Sequence, residues 1–243
     1  MRALRTGLMA GLLLAAAAHG ANIAVLPVGL GLGSGHDRGA ITVTNQGAEA
    51  VAVQVETMSW TQVGSEDHYA PTRDLLVNPP LFRLAPGSSQ VLRVGLRQTP
   101  TGEREAAYRL FLREVPTPAA ETDSGEASIR VLLELRLPVY VAPAKVVSAQ
   151  SWQGRRAADG SIAVELVNTG SVHLVVSELK LRPAGAAPEA PALAAAKAGA
   201  SVFPGQRRTW SLRLPAGETA SRYALEVTTD RGTQNVVLDL DRE

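Results

Sequence analysis

Apolar and polar residues alternate along much of the chain, and the longest alternating stretch runs from Ile129 to Leu137. Its odd positions are all apolar, and three of its four even positions are charged, Leu132 being the exception. Successive side chains of a strand point to opposite faces, so this pattern predicts a long two-faced β-strand rather than a helix. The apolar row belongs either to the protein's own core or to that of a partner.

Short β-rich runs separated by turn residues continue on both sides of this strand. Residues 40–44 and 51–55 flank Asn45-Gln46-Gly47, a predicted hairpin turn. The polar stretch 64–73 predicts a loop, and the Ala- and Pro-rich stretch 183–201 favours an extended surface excursion over a short helix. Short strands with regularly spaced turns predict an all-β protein built from two β-sandwich domains.

A predicted leader sets the start of the mature chain, and a seam divides that chain into two domains. Residues 1–20 combine a basic start, a short apolar run and small residues at a cleavage position, which predicts a secretory signal peptide. No later stretch is long and apolar enough to span a bilayer, so we expect a soluble product. With a seam at Pro143-Ala144, the predicted domains are residues 21–143 and 144–243.

Composition excludes several classes of function. The chain has 24 basic and 23 acidic residues, which gives no reason to expect a nucleic acid or an anionic membrane as partner. It has no cysteine, which excludes thiol catalysis and cysteine-based metal sites. His36, His68 and His173 are far apart and are interpreted as solvated loop residues, and Glu103 and Glu105 as a solvated pair. We therefore predict no enzymatic activity, no cofactor and no metal.

Several segments follow one another in a characteristic order along the chain. They are residues 76–87 with Asn78-Pro79-Pro80 and Pro86-Gly87, 90–94, 103–116, the long strand ending at Pro143, the predicted turn Asn168-Thr169-Gly170 and residues 202–205. Together they resemble the periplasmic pilus-assembly chaperones of the chaperone–usher pathway. Trp60-Thr61-Gln62 and a first strand without arginine are more similar to the archaic or alternative subgroup.

The resemblance implies two immunoglobulin-like β-sandwich domains set at an angle around a cleft, and a periplasmic chaperone for pilin subunits. A pilin lacks its final strand, and the chaperone lends one of its own; this donor-strand complementation is an established example of strand addition. The chaperone thereby completes the subunit's fold, prevents its aggregation and delivers it to an outer-membrane usher. Partners are pilin subunits and the usher, with no nucleic acid and no membrane insertion. By position, the donor residues are Ile129, Val131, Leu133 and Leu135.

The sequence departs from this family where many members anchor the pilin's C-terminal carboxylate. The arginine of the first strand and the lysine near the end of the donor strand correspond here to Gly29 and Pro138. Neither residue carries a charge, so the anchor must come from elsewhere in the cleft. Arg109 and Arg136 are the candidates, and an exposed cation without such a role is an equally open interpretation of each.

A second departure concerns the interdomain charge network that the resemblance implies. The family places an arginine just before the closing proline, and Ala142 occupies that position here. Glu105 and Asp230 correspond to the acidic members of the network, and their partner is left open.

A competing interpretation is a structural or adhesive two-domain β-sandwich surface protein, or a glycan-binding module. A glycan binder needs exposed aromatic side chains, and Trp152 and Tyr69 are the ready candidates in this chain.

Overall fold

The computed structural model describes residues 22–98, 101–116, 131–187 and 189–241. Within these ranges every regular element is a β-strand, which confirms the all-β prediction. The predicted signal peptide, the predicted loop at 119–128 and Ile129 lie outside the described residues. The strands are β1 (Ile23–Leu26), β2 (Leu30–Leu32), β3 (Arg38–Asn45), β4 (Val51–Val63), β5 (Glu66–Pro71), β6 (Leu75–Asn78), β7 (Leu81–Leu84), β8 (Ser89–Leu96), β9 (Ala106–Val115), β10 (Glu134–Val141), β11 (Gln150–Arg156), β12 (Ile162–Asn168), β13 (Leu174–Pro183), β14 (Ala194–Val202), β15 (Arg207–Leu212), β16 (Arg222–Thr229) and β17 (Gly232–Asp241).

The first β-sandwich consists of two sheets that pack face to face. Its first sheet has the strand order β1-β3-β8-β6, and its second sheet has the order β2-β10-β9-β4-β5, with β7 also paired to β4. Alternate residues of each strand point inward, where fully buried side chains such as Ile41, Leu92 and Leu110 form one continuous core. The second sheet therefore has an outer face, directed away from this core, that is free to carry polar and aromatic side chains.

The beginning of the chain belongs to both sheets of this sandwich. The sequence 25–32 alternates apolar residues with Gly29 and Gly31, which predicts one strand with a bare face suited to close approach of another backbone. The structure instead has two strands: β1 pairs with β3 in the first sheet, and β2 pairs with β10 in the second. Pro27 lies between them and has no backbone N–H to donate to a ladder, so the strand pairing is interrupted there.

The second β-sandwich is formed by one seven-stranded sheet that wraps around its own core. The strand order is β14-β13-β16-β17-β11-β12-β15, and the two terminal strands β14 and β15 lie against each other. Ile162, Leu166, Leu179 and Leu225 are fully buried at its centre. The segment between β10 and β11 joins the two sandwiches, and the proposed boundary at Pro143 falls in it.

Two sequence-based assignments of loop structure are wrong. The stretch 64–73 contains β5, because this strand pairs along β4 and places Tyr69 beside Trp60. The stretch 183–201 contains most of β14, which pairs with β13. The chain turns at Asn45 and Asn168 as predicted: each asparagine side chain accepts a hydrogen bond from the backbone N–H of the glycine two residues later, at 2.9 and 3.0 Å. The predicted hairpin at Asn45 is wrong, because β3 and β4 do not pair with each other and belong to different sheets of the first sandwich.

Candidate functional site

The donor-strand candidate β10 has one open edge. On one side it pairs antiparallel with β9 along its whole length. On the other side β2 covers only Val139–Val141, so among the described residues nothing pairs with the edge of Glu134–Pro138. An unpaired strand edge presents free N–H and C=O groups to any other strand that reaches it.

The observed strand begins at Glu134, later than the predicted start at Ile129, and residues 131–133 lead into it. The apolar row lies on the inner face of the sheet along β10, continues upstream to Leu133 and Val131, and becomes more exposed in that direction. Val139 is fully buried, and Leu137 is 7% exposed. Leu133 and Leu135 are half-buried, with Leu135 packed against the core of the first sandwich. Val131 is 76% exposed. The row is therefore shared: its end belongs to the protein's own core, and its beginning is available to another molecule.

Below the open edge, the interior of the first sandwich reaches the surface. A narrow apolar slot lies between β1 of the first sheet and β10 of the second, since neither edge is covered there. Leu133 and Leu135 extend the row of buried side chains directly into this slot. Its lining residues are Ile23, Val51, Val53, Leu112, Glu114, Leu133 and Leu135.

Four charged residues cross the outer face of the sheet behind the apolar row. Arg113 on β9 donates from Nε to Glu134 on β10 at 2.7 Å and from Nη1 to Glu56 on β4 at 2.5 Å. Arg136 donates from Nε to the other oxygen of Glu134 at 2.7 Å. The hydrogen bond from Arg113, assisted by that from Arg136, lowers the pKa of the Glu134 carboxyl. We refer to Glu56, Arg113, Glu134 and Arg136 as the charged cluster.

Beneath the charged cluster lies Phe111, which is only 4% exposed although it points away from both cores. The guanidinium carbons of Arg136 and Arg113 lie 4.9 and 5.2 Å from its ring centroid. Tyr69 contacts its edge at a centroid distance of 5.4 Å. The two arginines thus cover an aromatic ring as well as forming ion pairs.

Gly29 and Pro138, which correspond to the anchor positions implied by the resemblance, lie against each other. A Cβ atom on Gly29 would lie 2.9 Å from Cγ of Pro138 and 3.1 Å from its carbonyl oxygen. The proline ring thus occupies the space that a side chain at position 29 needs, and glycine is required there for a steric reason. The bare face predicted for this strand, suited to close approach of another backbone, is found at this position.

Arg109 lies directly opposite Pro138 in the β9–β10 register. Its guanidinium carbon is 3.7 Å from the centroid of the Trp60 ring, and Nη1 donates to the carbonyl oxygen of Arg136 at 3.1 Å. Nε is buried and has no hydrogen-bond partner, and no carboxylate of the described residues pairs with this side chain. Arg136, the other candidate, already pairs with Glu134 and is 54% exposed at its side chain.

Glu105 reaches the second sandwich, and the interpretation of Glu105 and His173 as solvated residues is wrong. The Glu105 side chain is 4% exposed, and one of its oxygens lies 2.6 Å from Nδ1 of His173. The same oxygen accepts the backbone N–H of His173 at 3.2 Å. The His173 ring stacks on Tyr140 of β10 at a centroid distance of 3.7 Å. His173 is therefore the partner of Glu105 that the sequence left open.

Asp230 does not contact Glu105 through a shared arginine in the way that the resemblance implies. Its carboxylate instead accepts the backbone N–H of Val175 at 3.0 Å. The neighbouring Arg231 donates from Nη2 to the carbonyl oxygen of His173 and from Nη1 to Ser148 at 2.8 Å. Both acidic residues thus support the segment that carries His173.

Two further residues at the junction of the sandwiches were missed by sequence reasoning. The Gln62 side chain donates to the carbonyl oxygen of Ser201 at 2.9 Å and accepts the backbone N–H of Phe203 at 3.0 Å. The Phe203 ring packs edge-on against Trp60 at 4.6 Å. The partners of each of these contacts are about 140 residues apart in sequence, so no local sequence pattern predicts them.

The aromatic residues considered for glycan binding are packed against neighbours. Trp152 stacks on Trp210 at 6.1 Å beside the core of the second sandwich. Tyr69 packs against Trp60 and Phe111. In the part of the chain that the structure describes, no cluster of three or more potential metal-ligating side chains occurs, and no helix is long and apolar enough to cross a membrane.

Solved structures of several fimbrial chaperones and of their complexes have the same overall fold. A chain of the CsuC–CsuE chaperone–tip adhesion subunit pre-assembly complex, from the archaic Csu pili of Acinetobacter baumannii, matches with a TM-score of 0.62, 16% identity and coverage of 91% of this chain and 100% of that one. The E. coli chaperone DraB matches with a TM-score of 0.59, 21% identity and coverage of 91% and 97%. A chain of the SafA pilin–SafB chaperone complex of Salmonella enterica matches with a TM-score of 0.59, 17% identity and coverage of 89% of this chain and 96% of that one.

These matches span nearly the whole chain and confirm the two-domain β-sandwich fold. No curated protein sequence gives a significant match. The family model of the pili and flagellar-assembly chaperones, PapD N-terminal domain, matches residues 23–147, which is more than half of the chain and includes the whole of β10. With the open edge and the shared apolar row in the same segment, the chain belongs to the family of pili and flagellar-assembly chaperones.

Proposed function

We propose that this protein is a periplasmic chaperone that captures pilin subunits by lending them residues 129–137, the segment that leads into β10 together with the first half of that strand. Residues 21–143 form the domain that carries the donor strand, residues 144–243 form the second domain, and residues 1–20 are removed on export. The observation that carries the proposal is the open edge of Glu134–Pro138 combined with an apolar row that continues from the core to the exposed Val131. The chaperone then delivers its subunit to an outer-membrane usher.

The energetics favour capture by a strand of this kind. Fully burying an aliphatic side chain contributes about 1.5–3 kcal/mol, and the mostly exposed Val131 has nearly all of its surface left to bury. Leu133 and Leu135 contribute less because each is already half-buried. The open backbone edge adds hydrogen bonds to a subunit strand, which orient the complex. Ile129 lies outside the described residues and is assigned to the row by its position alone.

Similar folds bound to subunits support this choice of partner. The CsuC–CsuE structure contains a tip adhesion subunit, and the SafA–SafB structure contains a pilin. Another match is a periplasmic chaperone, SfaE, which agrees with the signal peptide predicted at the start of this chain.

The anchor for the subunit's C-terminal carboxylate is best assigned to Arg109. Its guanidinium is partly withdrawn from water against Trp60, lacks a carboxylate partner among the described residues and lies beside Pro138. A desolvated cation without a counter-charge is costly, so an incoming carboxylate gains from pairing with it. Arg136 is less suitable because Glu134 already neutralises it.

Glu105 holds the segment around His173 against the first sandwich, and Asp230 fixes the same segment within the second sandwich. Tyr140 lies at the end of β10 and stacks on His173, so the donor strand and the junction are in direct contact. This arrangement fixes one wall of the cleft relative to the donor strand.

The direct test is the double substitution Val131→Asp and Leu133→Asp in the full chain, co-expressed with a pilin from the same organism. The chaperone is expected to fold, because neither side chain is fully buried, and to lose co-purification with the pilin. Val237→Asp is the matched control, since Val237 is a 56% exposed valine on a strand of the second sandwich. Retained co-purification of the double variant contradicts the donor-strand assignment.

A further inference from the structure

The charged cluster lies on the one part of β10 that lacks a second neighbouring strand. From Glu134 to Pro138 the strand is held by β9 alone among the described residues. Strand ends with a single neighbour open easily, because they have few buried contacts and exposed backbone hydrogen bonds. Something must keep this half of β10 extended while leaving its free edge and apolar row unobstructed.

The charged cluster meets this requirement because it binds the opposite face. Glu134 is directly opposite Arg113 in the β9–β10 register, and Arg136 is directly opposite Phe111. Arg113 continues the chain of contacts to Glu56 on β4, which is itself paired opposite Phe111. The contacts therefore run from the donor strand across two further strands of the sheet on its outer face.

Backbone contacts at the start of the described segment supplement the cluster. The carbonyl oxygen of Leu133 accepts the backbone N–H of Glu114 at 2.9 Å, and the backbone N–H of Leu133 donates to the Glu114 carboxylate at 3.3 Å. These bonds also leave the apolar side chain of Leu133 free on the inner face.

We propose that Arg113 and Glu134, supported by Glu56 and Arg136, are positioning residues that hold the donor strand extended on β9 before a subunit binds. The inference rests on the proposed function, since it assigns these residues a role in preparing the strand for capture. A pre-ordered strand does not have to lose its backbone entropy during capture, and binding is faster and tighter for that reason. The cluster acts through the strand and does not contact the subunit's groove.

The first experiment measures amide hydrogen exchange in the full-length mature chaperone without any ligand, for peptides covering residues 131–137. Arg113→Gln is expected to accelerate exchange there by roughly 1.5- to 5-fold, the factor that corresponds to the loss of one or two exposed ion pairs. Arg182→Gln is the matched control, because Arg182 pairs with Glu226 across β13 and β16 of the second sandwich at 3.1 Å. Unchanged exchange in Arg113→Gln contradicts the proposal.

Salt separates an electrostatic role from mere packing of the Arg113 side chain on Phe111. Exchange of residues 131–137 in the unmodified protein is expected to rise between about 0.05 and 0.5 M NaCl, because salt screens exposed ion pairs. In Arg113→Gln the same peptide is expected to show little further salt dependence. Equal salt dependence in the two proteins overturns the assignment.

The second experiment measures the rate at which the chaperone captures a urea-denatured pilin subunit from the same organism. Arg113→Gln and Glu134→Gln are each expected to lower the capture rate by a similar small factor. The double variant is expected to capture no more slowly than the slower of the two single variants, because both substitutions remove the same contact. Strictly additive effects contradict the coupling. If Val131→Asp/Leu133→Asp abolishes capture while the two Gln variants have no effect, the role of the charged cluster is rejected and the proposed function stands. If the double Asp variant still captures the subunit while the Gln variants slow capture, the donor-strand assignment itself is rejected.

Discussion

Removing the Arg109 guanidinium tests whether this side chain binds the C-terminal carboxylate of the subunit in a chaperone that has Gly29 and Pro138 at the usual anchor positions. In the structure this group lies 3.7 Å from the Trp60 ring centroid and opposite Pro138, at the end of the segment with the open edge. Arg109→Ala removes the positive charge and leaves both strands of the β9–β10 pair in place.

The size of the effect follows from the kind of bond that is lost. A hydrogen bond to a charged group contributes about 1.5–3 kcal/mol, and each 1.4 kcal/mol is a factor of ten in affinity. Arg109→Ala is therefore expected to raise the Kd for a pilin subunit by roughly 10- to 150-fold. Loss of the cation–π contact with Trp60 lowers the chaperone's own stability by about 0.5–2 kcal/mol, which thermal unfolding reports separately.

The assay compares a pilin subunit with a free C-terminus and the same subunit with an amidated C-terminus, both titrated by competition against a labelled subunit. Amidation is expected to weaken binding to the unmodified chaperone and to have little effect on Arg109→Ala, because the two changes remove the same contact. Arg93→Ala is the control, since Arg93 is exposed on the outer face of the other sheet. If amidation weakens binding equally in the unmodified chaperone and in Arg109→Ala, Arg109 is not the anchor and Arg136 becomes the candidate.

Two predictions concern the stability of the first sandwich. Gly29→Val is expected to lower the free energy of unfolding by about 1–3 kcal/mol in a denaturant titration, because the new Cβ meets Pro138 at 2.9 Å. Gly31→Val is the control and is expected to lower it much less, since no atom lies within 4 Å of the Cβ at that position. Equal losses in the two variants contradict the steric explanation. Burial, with a smaller effect of the Asp74 carboxylate, raises the pKa of Tyr108 to about 12. Because the unfolded phenol ionises near pH 10, its contribution to stability is complete below that pH and is lost between pH 10 and about 12. Burial also raises the pKa values of Tyr69, Tyr140 and Tyr223. Urea titrations across this range should therefore show a larger loss in the unmodified protein than in Tyr108→Phe, and identical profiles contradict the assignment.

Much of the architecture could be predicted because it is encoded locally. The alternation of apolar residues before Leu137 predicts a two-faced strand, and the Asn-x-Gly sequence at Asn45 predicts its turn, since both depend only on neighbouring residues. The glycine-bearing face at Gly29 predicts a close approach of another backbone, which the structure places at Pro138.

The remaining features depend on contacts between distant segments. The polar stretch 64–73 forms β5 because Tyr69 packs on Trp60 and Phe111, and this tertiary contact overrides a local loop pattern. Glu105 and His173 belong to different sandwiches, and a carboxylate that looks solvated in the sequence is buried by that meeting. The extent of the open edge also cannot be read from β10 alone, because it is set by where β2 ends.

The most direct test of the central claim is amide hydrogen exchange of the chaperone with and without a bound pilin subunit. If the subunit pairs with the open edge, residues 131–137 should become protected by at least about tenfold, in the range expected when exposed backbone groups enter a stable ladder. Residues 194–198 of β14 in the second sandwich should remain unchanged. Protection that is absent from residues 131–137, or confined to other strands in a stable complex, contradicts donation of β10.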